Sequence, residues 1–285
     1  GSVMPMPDVM ISVCIPAYKN TEYLGRLLRS LQAQDFRDFE VVITDDSPDD
    51  RIEQFLEGFR DLPGLIYHRN PHSLGTPENW NEAVRRAKGQ WIKIMHDDDW
   101  LADAGALSAL AAEARKGQAD FIFSAYTNVY LGESREELIQ ISASRLRALG
   151  KSRANLFARN VIGPPSVVMY RKDPVFEYDK TMKWVVDIDF YIRYLAVHSF
   201  SYLPLPLVKV GISAEQVTQA CFRVPEVEVP ENFALLEKVG VGSLRPILAY
   251  DGWWRLLRNL QLREPDDIRK SGYAGEVPVV IKSML

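Results

Sequence analysis

Trp91-Ile92-Lys93-Ile94-Met95-His96-Asp97-Asp98-Asp99-Trp100 decides how this chain is read. Its first half is an apolar run preceded by Lys88-Gly89, the pattern of a buried strand. Its second half places three carboxylates side by side at the mouth of that strand. Adjacent like charges repel unless a cation lies among them. An Asp-rich turn is ordinarily a loop of solvated acids, but open α/β sheets bind ligands at the carboxyl ends of their strands. A strand-end position therefore favours a hard divalent metal carrying a diphosphate.

Working outward, strand and helix patterns alternate. Ile11–Ile15 is an apolar run closed by Pro16, and Leu24, Leu27, Leu28 and Leu31 follow helical spacing. Phe39–Ile43 reads as a second strand, closed by Thr44-Asp45-Asp46-Ser47-Pro48. Ile52, Phe55, Leu56 and Phe59 form a second helical stripe, and Leu65–His68 a third strand. Trp80, Ala83, Val84 and Ala87 mark the helix that leads to Trp91. This succession predicts an α/β fold with a mostly parallel sheet covered on both faces. Further strands are expected at Phe121–Ser124 and Ser166–Tyr170, and helices at Leu107–Ala114 and around Phe190 and Tyr194. Residues 132–160 read as a helical excursion. Tyr202–Val210 is extended but interrupted by proline, so it cannot be a regular central strand.

Composition narrows the function classes. The net charge of −4 gives no basic surplus of the kind a nucleic-acid reader carries. The two cysteines, Cys14 and Cys221, have no metal-type spacing and imply a reducing compartment. No run approaches the roughly 18 apolar residues of a membrane span. No signal peptide is evident, and Gly1-Ser2 reads as an expression scar. A cytoplasmic protein is expected, with room for a peripheral place at the inner membrane face.

Parallel strands end on one sheet edge, so Pro16-Ala17-Tyr18, Asp45-Asp46, Asn79 and Asp97–Asp99 can share one crevice. Each is weak alone. Asp-Asp-Ser-Pro is also good turn chemistry, and Asn79 could be only a structural hydrogen bonder.

Together they resemble the family 2 glycosyltransferases, GT-A enzymes that use nucleotide-sugar donors. The resemblance rests on Val13–Asn20, Glu40–Asp49, and Asn79 with Ala87–Ile92 running into His96–Leu101. It covers about residues 10–215. By this resemblance Pro16, Ala17, Tyr18, Asp46 and the adjacent Asp45 hold the nucleotide, with Asn79 beside them. Asp97–Asp99 match the DXD-type motif: Asp99 is the ligand of Mn²⁺ or Mg²⁺, and Asp97 and Asp98 contact the donor. Farther on, Ile162–Ser166 precedes Trp184–Phe190, where relatives carry an acidic pair. Val186 stands at the first position and Asp187 at the second, the catalytic base. Asp187 also suits a helix N-cap, and Asp189 is the rival. Ser213 stands where many relatives have a metal-binding histidine, and serine is a poor ligand for these ions. His68, His72, His96 and His198 lack metal-ligand spacing.

The expected protein is a GT-A domain over residues 8–222 with a C-terminal helical appendage over 223–285. The expected activity is inverting transfer of a sugar from a nucleotide-diphosphate donor to a glycan or lipid-linked acceptor in bacterial polysaccharide or glycoconjugate assembly. A sugar nucleotidyltransferase would carry a Gly-rich loop after the first strand, and Pro16–Thr21 has no glycine. A catalytically silent sugar-nucleotide-binding or glycan-binding module is the other alternative, kept open by Val186 and Ser213. In the tail, Trp253, Leu256, Leu257 and Leu260 share a helix face, with Arg255 and Arg258 elsewhere on it. That face suits packing on the catalytic domain or a homodimer partner, or a weak, salt-sensitive membrane contact.

Overall fold

The computed structural model describes residues 9–216 and 223–285. Val217, Thr218 and Cys221 lie outside them. The chain divides into two compact units. The first holds residues up to Gln140, Pro164–Glu177 and His198–Ile212; the second holds Ile141–Gly163, Tyr178–Val197 and Ser213–Leu285.

The first unit carries the whole sheet. Strands β1 (Ile11–Ala17), β2 (Phe39–Asp45), β3 (Ile66–Arg69) and β4 (Trp91–Ile94) alternate with helices α1 (Thr21–Gln32), α2 (Arg51–Phe55) and α3 (Glu78–Arg86). They pair in parallel in the order β3-β2-β1-β4. Every residue of β2 is buried, as expected of a strand covered on both faces. In α1 the predicted stripe Leu24, Leu27, Leu28 and Leu31 is buried, and the Asn20 side chain caps the helix by accepting the Tyr23 N–H.

Beyond β4 the sheet becomes mixed, through β5 (Asp99–Leu101), β6 (Phe121–Tyr130), β7 (Arg135–Ile139), β8 (Val168–Arg171) and β9 (Phe200–Ile212), with helix α4 (Ala106–Arg115) between β5 and β6. Two expectations change here. Residues 132–160 do contain a helix, α5 (Ala143–Lys151), but also β7, which forms an antiparallel hairpin with β6. Four of its five residues are exposed and the first three are charged, so no apolar alternation betrayed the strand. The proline-interrupted segment is central, since β9 lies between β6 and β5. It is irregular, as the prolines require. The register jumps from Leu203 opposite Ser124 to Pro206 opposite Ala125, and shifts again before Val208.

The second unit is larger than the tail alone. It contains α5, α6 (Val186–Tyr194), α7 (Pro225–Val239), α8 (Ile247–Asn259), α9 (Pro265–Lys270) and α10 (Val279–Met284). Val229, Phe233 and Leu236 of α7 pack with Trp253 and Leu257 of α8, Ile268 of α9 and Ile281 of α10. The Phe233 and Trp253 rings meet edge to face at 5.0 Å. The face bearing Trp253, Leu257 and Leu260 is thus buried inside its own unit and is not offered to a bilayer. Among the described residues no helix is long and apolar enough to cross a membrane.

Gly252 lets α8 lie against the backbone at residues 157–158. A Cβ there would stand 2.5 Å from Ala158 Cα, where no flexible side chain can yield. Gly150 in α5 has open space around it. Gly252→Ala is expected to lower the thermal midpoint, at a cost of about 1–3 kcal/mol from overpacking. Gly150→Ala should raise it slightly, by about 0.5–1 kcal/mol of helix propensity. Thermal unfolding of both variants checks the opposite signs.

Candidate active site

The parallel register puts the ends of β1, β2 and β4 on one edge of the first unit, with Ala17 opposite Asp45 and Cys14 opposite Ile94. A cleft of about 330 Å³ opens there. Pro16 and Ala17 line it from β1 with Tyr18 just beyond, Asp46 from just after β2, Asn79 and Trp80 from α3, and His96 and Asp97 from the turn after β4. Ser73, Gly75 and Thr76 complete it from the β3–α3 connection. Of the residues expected in the crevice, Pro16, Ala17, Tyr18, Asp46, Asn79 and Asp97 meet in this lining. Asp45, Asp98 and Asp99 lie outside it.

Several of these side chains build the cleft as well as face it. Asp46 Oδ1 accepts the Asn70 amide at 2.8 Å and the Leu74 N–H at 2.9 Å, and its Oδ2 accepts the Gly75 N–H at 2.9 Å. It therefore fastens the 70–75 loop to the end of β2. Asn79 accepts from Asn70 at 2.9 Å and donates to the Thr44 carbonyl at 3.1 Å. Asn70 bridges both, and no short-range pattern in the sequence marks it. Asp45 is fully buried and accepts the Tyr67 hydroxyl at 2.7 Å and the Ser47 N–H at 2.8 Å. Burial and this carboxylate push the Tyr67 phenol well above its usual range. Tyr18 is 52% exposed, an open ring at the rim. The next residue, Lys19, has a φ of 60°, a left-handed conformation held by its N–H bond to Ser47 Oγ at 2.8 Å.

The acidic turn is closed by the Asp99 N–H bonding the His96 carbonyl at 3.0 Å. Asp97 accepts the Tyr18 N–H, yet burial and the charge of Asp98 push its carboxyl up to about 7. Asp99 is 3% exposed, and the same two causes raise it well above the carboxylate range. It is bracketed by a Ser166 side-chain bond and by the Gly211 N–H at 3.2 Å. Lys93 is buried nearby, donates to the Ser166 carbonyl, and is pushed down to about 7 by burial against the pull of Asp99. Ser166 Oγ also accepts the His96 N–H at 3.0 Å. Gly211 is required here, because a Cβ would stand 2.3 Å from the Asp98 carbonyl oxygen. His96, set aside in the sequence for want of metal-ligand spacing, lines the cleft and meets the Trp80 ring edge-on at 4.6 Å.

These oxygens suit a hard cation. Desolvation raises Asp97 and Asp99 because their negative charge is poorly compensated, and a divalent ion would relieve that cost. Among the described residues there is no ready-made group of three His, Cys, Asp or Glu ligands. A cation at this turn would need further oxygens from a bound diphosphate and water. Ser213 is occupied otherwise: its Oγ accepts the Gln216 N–H at 3.1 Å, and the Gln216 side chain accepts its N–H at 2.8 Å, a capping box.

In the second unit, Asp187, expected as an N-cap, instead stands in the first turn of α6, two residues past the observed cap. The cap position falls to Val185, and Glu231 Oε1 accepts the N–H groups of Lys183, Trp184 and Val185 at 2.7, 2.7 and 3.2 Å. Asp187 accepts the Ile188 N–H at 2.8 Å and the Asn160 amide at 3.1 Å, while burial pushes its carboxyl up to about 6. Asp189 has no exposed surface and is tied to Arg193 at 2.7 Å and Lys238 at 2.9 Å.

Residues 12–177 match the Glycosyl transferase family 2, and the chain belongs to that family, with a sugar-transferring role. An uncharacterized protein of Mycobacterium tuberculosis, MT1568, is 26% identical over 224 residues, covering 74% of this chain and 70% of its own. The GalNAc(5)-diNAcBac-PP-undecaprenol beta-1,3-glucosyltransferase of Campylobacter jejuni is 31% identical over 111 residues, but the match spans only 38% of this chain and 36% of that protein. Staphylococcus aureus TarS in complex with UDP-GlcNAc superposes with a TM-score of 0.64 at 21% identity, covering 96% of this chain and 78% of that one. A mannosyltransferase of Pyrobaculum calidifontis in complex with GDP-Man and Mn²⁺ gives 0.61 at 15% identity, with the same coverage of 96% and 78%. The fold is GT-A, with a central sheet flanked by helices and a helical C-terminal part.

The position of Asp187 has a measurable signature in stability. Its carboxyl titrates from 3.8 in the unfolded chain to about 6 in the folded one. The folded state thus holds the proton more tightly, and this contribution is full below about 3.8 and lost as pH rises through about 6. Relative to Asp187→Asn, the wild type should lose stability across that window and run parallel to the variant above it. Paired denaturant titrations between pH 4 and 7 check this.

Proposed function

We propose that this protein is an inverting glycosyltransferase that moves a sugar from a nucleoside-diphosphate donor to an acceptor hydroxyl in bacterial glycan assembly. The cleft at the carboxyl edge of β1, β2 and β4, lined by the desolvated Asp97 with the buried Asp99 in the same turn outside the lining, is the observation that carries this reading. Relatives named for transfer in glycan assembly, and structural neighbours complexed with UDP-GlcNAc or GDP-Man and Mn²⁺, support it.

In this reading Pro16, Ala17 and the open Tyr18 ring receive the nucleotide base. Asp46 and Asn79 hold the wall of its pocket, with Asp45 keeping the end of β2 in place. Asp97 and Asp98 contact ribose and sugar. Asp99 would hold Mn²⁺ or Mg²⁺, whose charge would stabilise the leaving diphosphate when bound. Asp187 removes the acceptor hydroxyl proton as that oxygen forms its bond to the anomeric carbon. The bond from that carbon to the diphosphate oxygen breaks on the opposite face, and its electron pair leaves with the nucleoside diphosphate. A carboxyl raised to about 6 is matched to this task, since a base with a pKa near the operating pH works best.

A second reading, a sugar-nucleotide-binding module without turnover, is favoured by the use of Ser213 as a helix cap and by the buried Val186 beside Asp187. Turnover separates the two. With a panel of nucleotide sugars and Mn²⁺, the wild type should release nucleoside diphosphate from one donor. Asp187→Asn should keep the thermal stabilisation by that donor but lose about 10²–10⁴-fold in release, the usual worth of a general base. Asp189→Asn should lower the melting temperature more than the activity of the folded protein. Greater loss of turnover in a stably folded Asp189→Asn variant would overturn the choice of base, and donor binding without release by the wild type would favour the binding module.

A further inference from the structure

The second unit carries a feature that the transfer reaction does not use. Residues 141–163 contain Arg145, Arg147, Lys151, Arg153 and Arg159 and no acid at all. Two of these, Arg145 and Arg159, meet Arg255 of α8 around a pocket of about 140 Å³ whose apolar wall includes Leu149, Val161 and Leu248. Among the described residues neither Arg145 nor Arg159 is paired with a carboxylate. Arg255 pairs with Asp251 at 2.9 Å, but both are about half exposed, and such a pair exchanges readily for a better anion. The apolar wall continues outward onto an open helix face. Ile247 is 84% exposed, Leu248 45% and Trp254 41%, with Arg258 lying 4.5 Å over the Trp254 ring. This face is distinct from the buried one bearing Trp253 and Leu257.

Three arginines lining one small pocket suit a phosphate, which arginine binds through paired N–H donors. A free phosphate would leave the exposed Ile247, Leu248 and Trp254 unexplained. A phosphate attached to a lipid accounts for both, with the headgroup among the arginines and the chain region against the apolar face. We propose that this pocket and its apolar rim dock the protein on the phosphate of an anionic lipid at a membrane surface. The inference is independent of the donor cleft and stands whether or not the transfer reading holds.

The test is co-sedimentation of the full-length protein with phosphatidylcholine vesicles, with and without phosphatidic acid, at low salt. The wild type should sediment only with the anionic vesicles. Each basic residue near such a surface is worth about fivefold in partitioning, so Arg145→Gln/Arg159→Gln should bind roughly 20-fold more weakly. Ile247→Ser/Leu248→Ser should also weaken binding, and circular dichroism should show both variants folded, since all four positions are exposed. Inorganic phosphate should displace the protein only in part at equal ionic strength, because it competes for the arginines but cannot replace the apolar contact. Absence of anionic-vesicle binding, or equal binding by all three proteins, would overturn the proposal. Full displacement by inorganic phosphate with the serine variant unaffected would make this a free-phosphate site and also overturn it. So would a wild-type dimer, seen by light scattering, that the serine variant turns into a monomer without any vesicle binding, because a second copy would then cover the patch.

Discussion

The first unit depends on how one turn holds three neighbouring carboxylates, of which Asp99 is buried and Asp97 is desolvated enough to raise its carboxyl. Like charges cannot be buried together without compensation. The chain supplies that compensation from every side: Tyr18 and Gly211 through backbone N–H groups, Ser166 through its hydroxyl, and Lys93 through its charge. Even so, Asp97 and Asp99 remain raised and Lys93 remains lowered. A cation and a diphosphate bound at the turn would favour the charged forms of both acids.

The surrounding architecture follows from keeping that turn in place. Parallel pairing of β1 with β2 and β4 delivers the strand ends to one edge. Gly211 allows β9 to come against the Asp98 carbonyl, and Arg26 donates to the same carbonyl at 3.0 Å while its guanidinium lies 3.7 Å over the Trp100 ring. On the other side of the cleft, Asn70 donates to both Asp46 and Asn79, and Asp46 also accepts the Gly75 N–H, which fixes the loop wall. Polar groups buried in this way are positioned by one another, so the cleft is shaped before any ligand arrives.

Much of this was legible in the linear sequence because it is local. The apolar runs of β1, β2 and β4, the leucine stripe of α1 and the acids after β4 are read from spacing alone. What was not legible depends on distant partners. Nothing near Asn70, Ser166 or Glu231 announces that each collects hydrogen bonds from far along the chain. β7 escaped because an exposed charged hairpin lacks alternation, and β9 was demoted by prolines that it accommodates through register shifts. Asp187 was placed in the correct helix, but its cap was assigned to a side chain when Glu231, in another helix, accepts the backbone N–H groups before that helix.

The central claim is that the acidic turn holds a metal-borne nucleoside diphosphate. Calorimetric titration of nucleoside diphosphates, with and without Mn²⁺, into wild type and Asp99→Asn tests it most directly. The expected result is that Mn²⁺ tightens binding of one nucleotide to the wild type by about tenfold or more, a gain of roughly 1.4 kcal/mol, and that the gain vanishes in Asp99→Asn. Equal affinity with and without the ion in the wild type, or an undiminished gain in the variant, would contradict it.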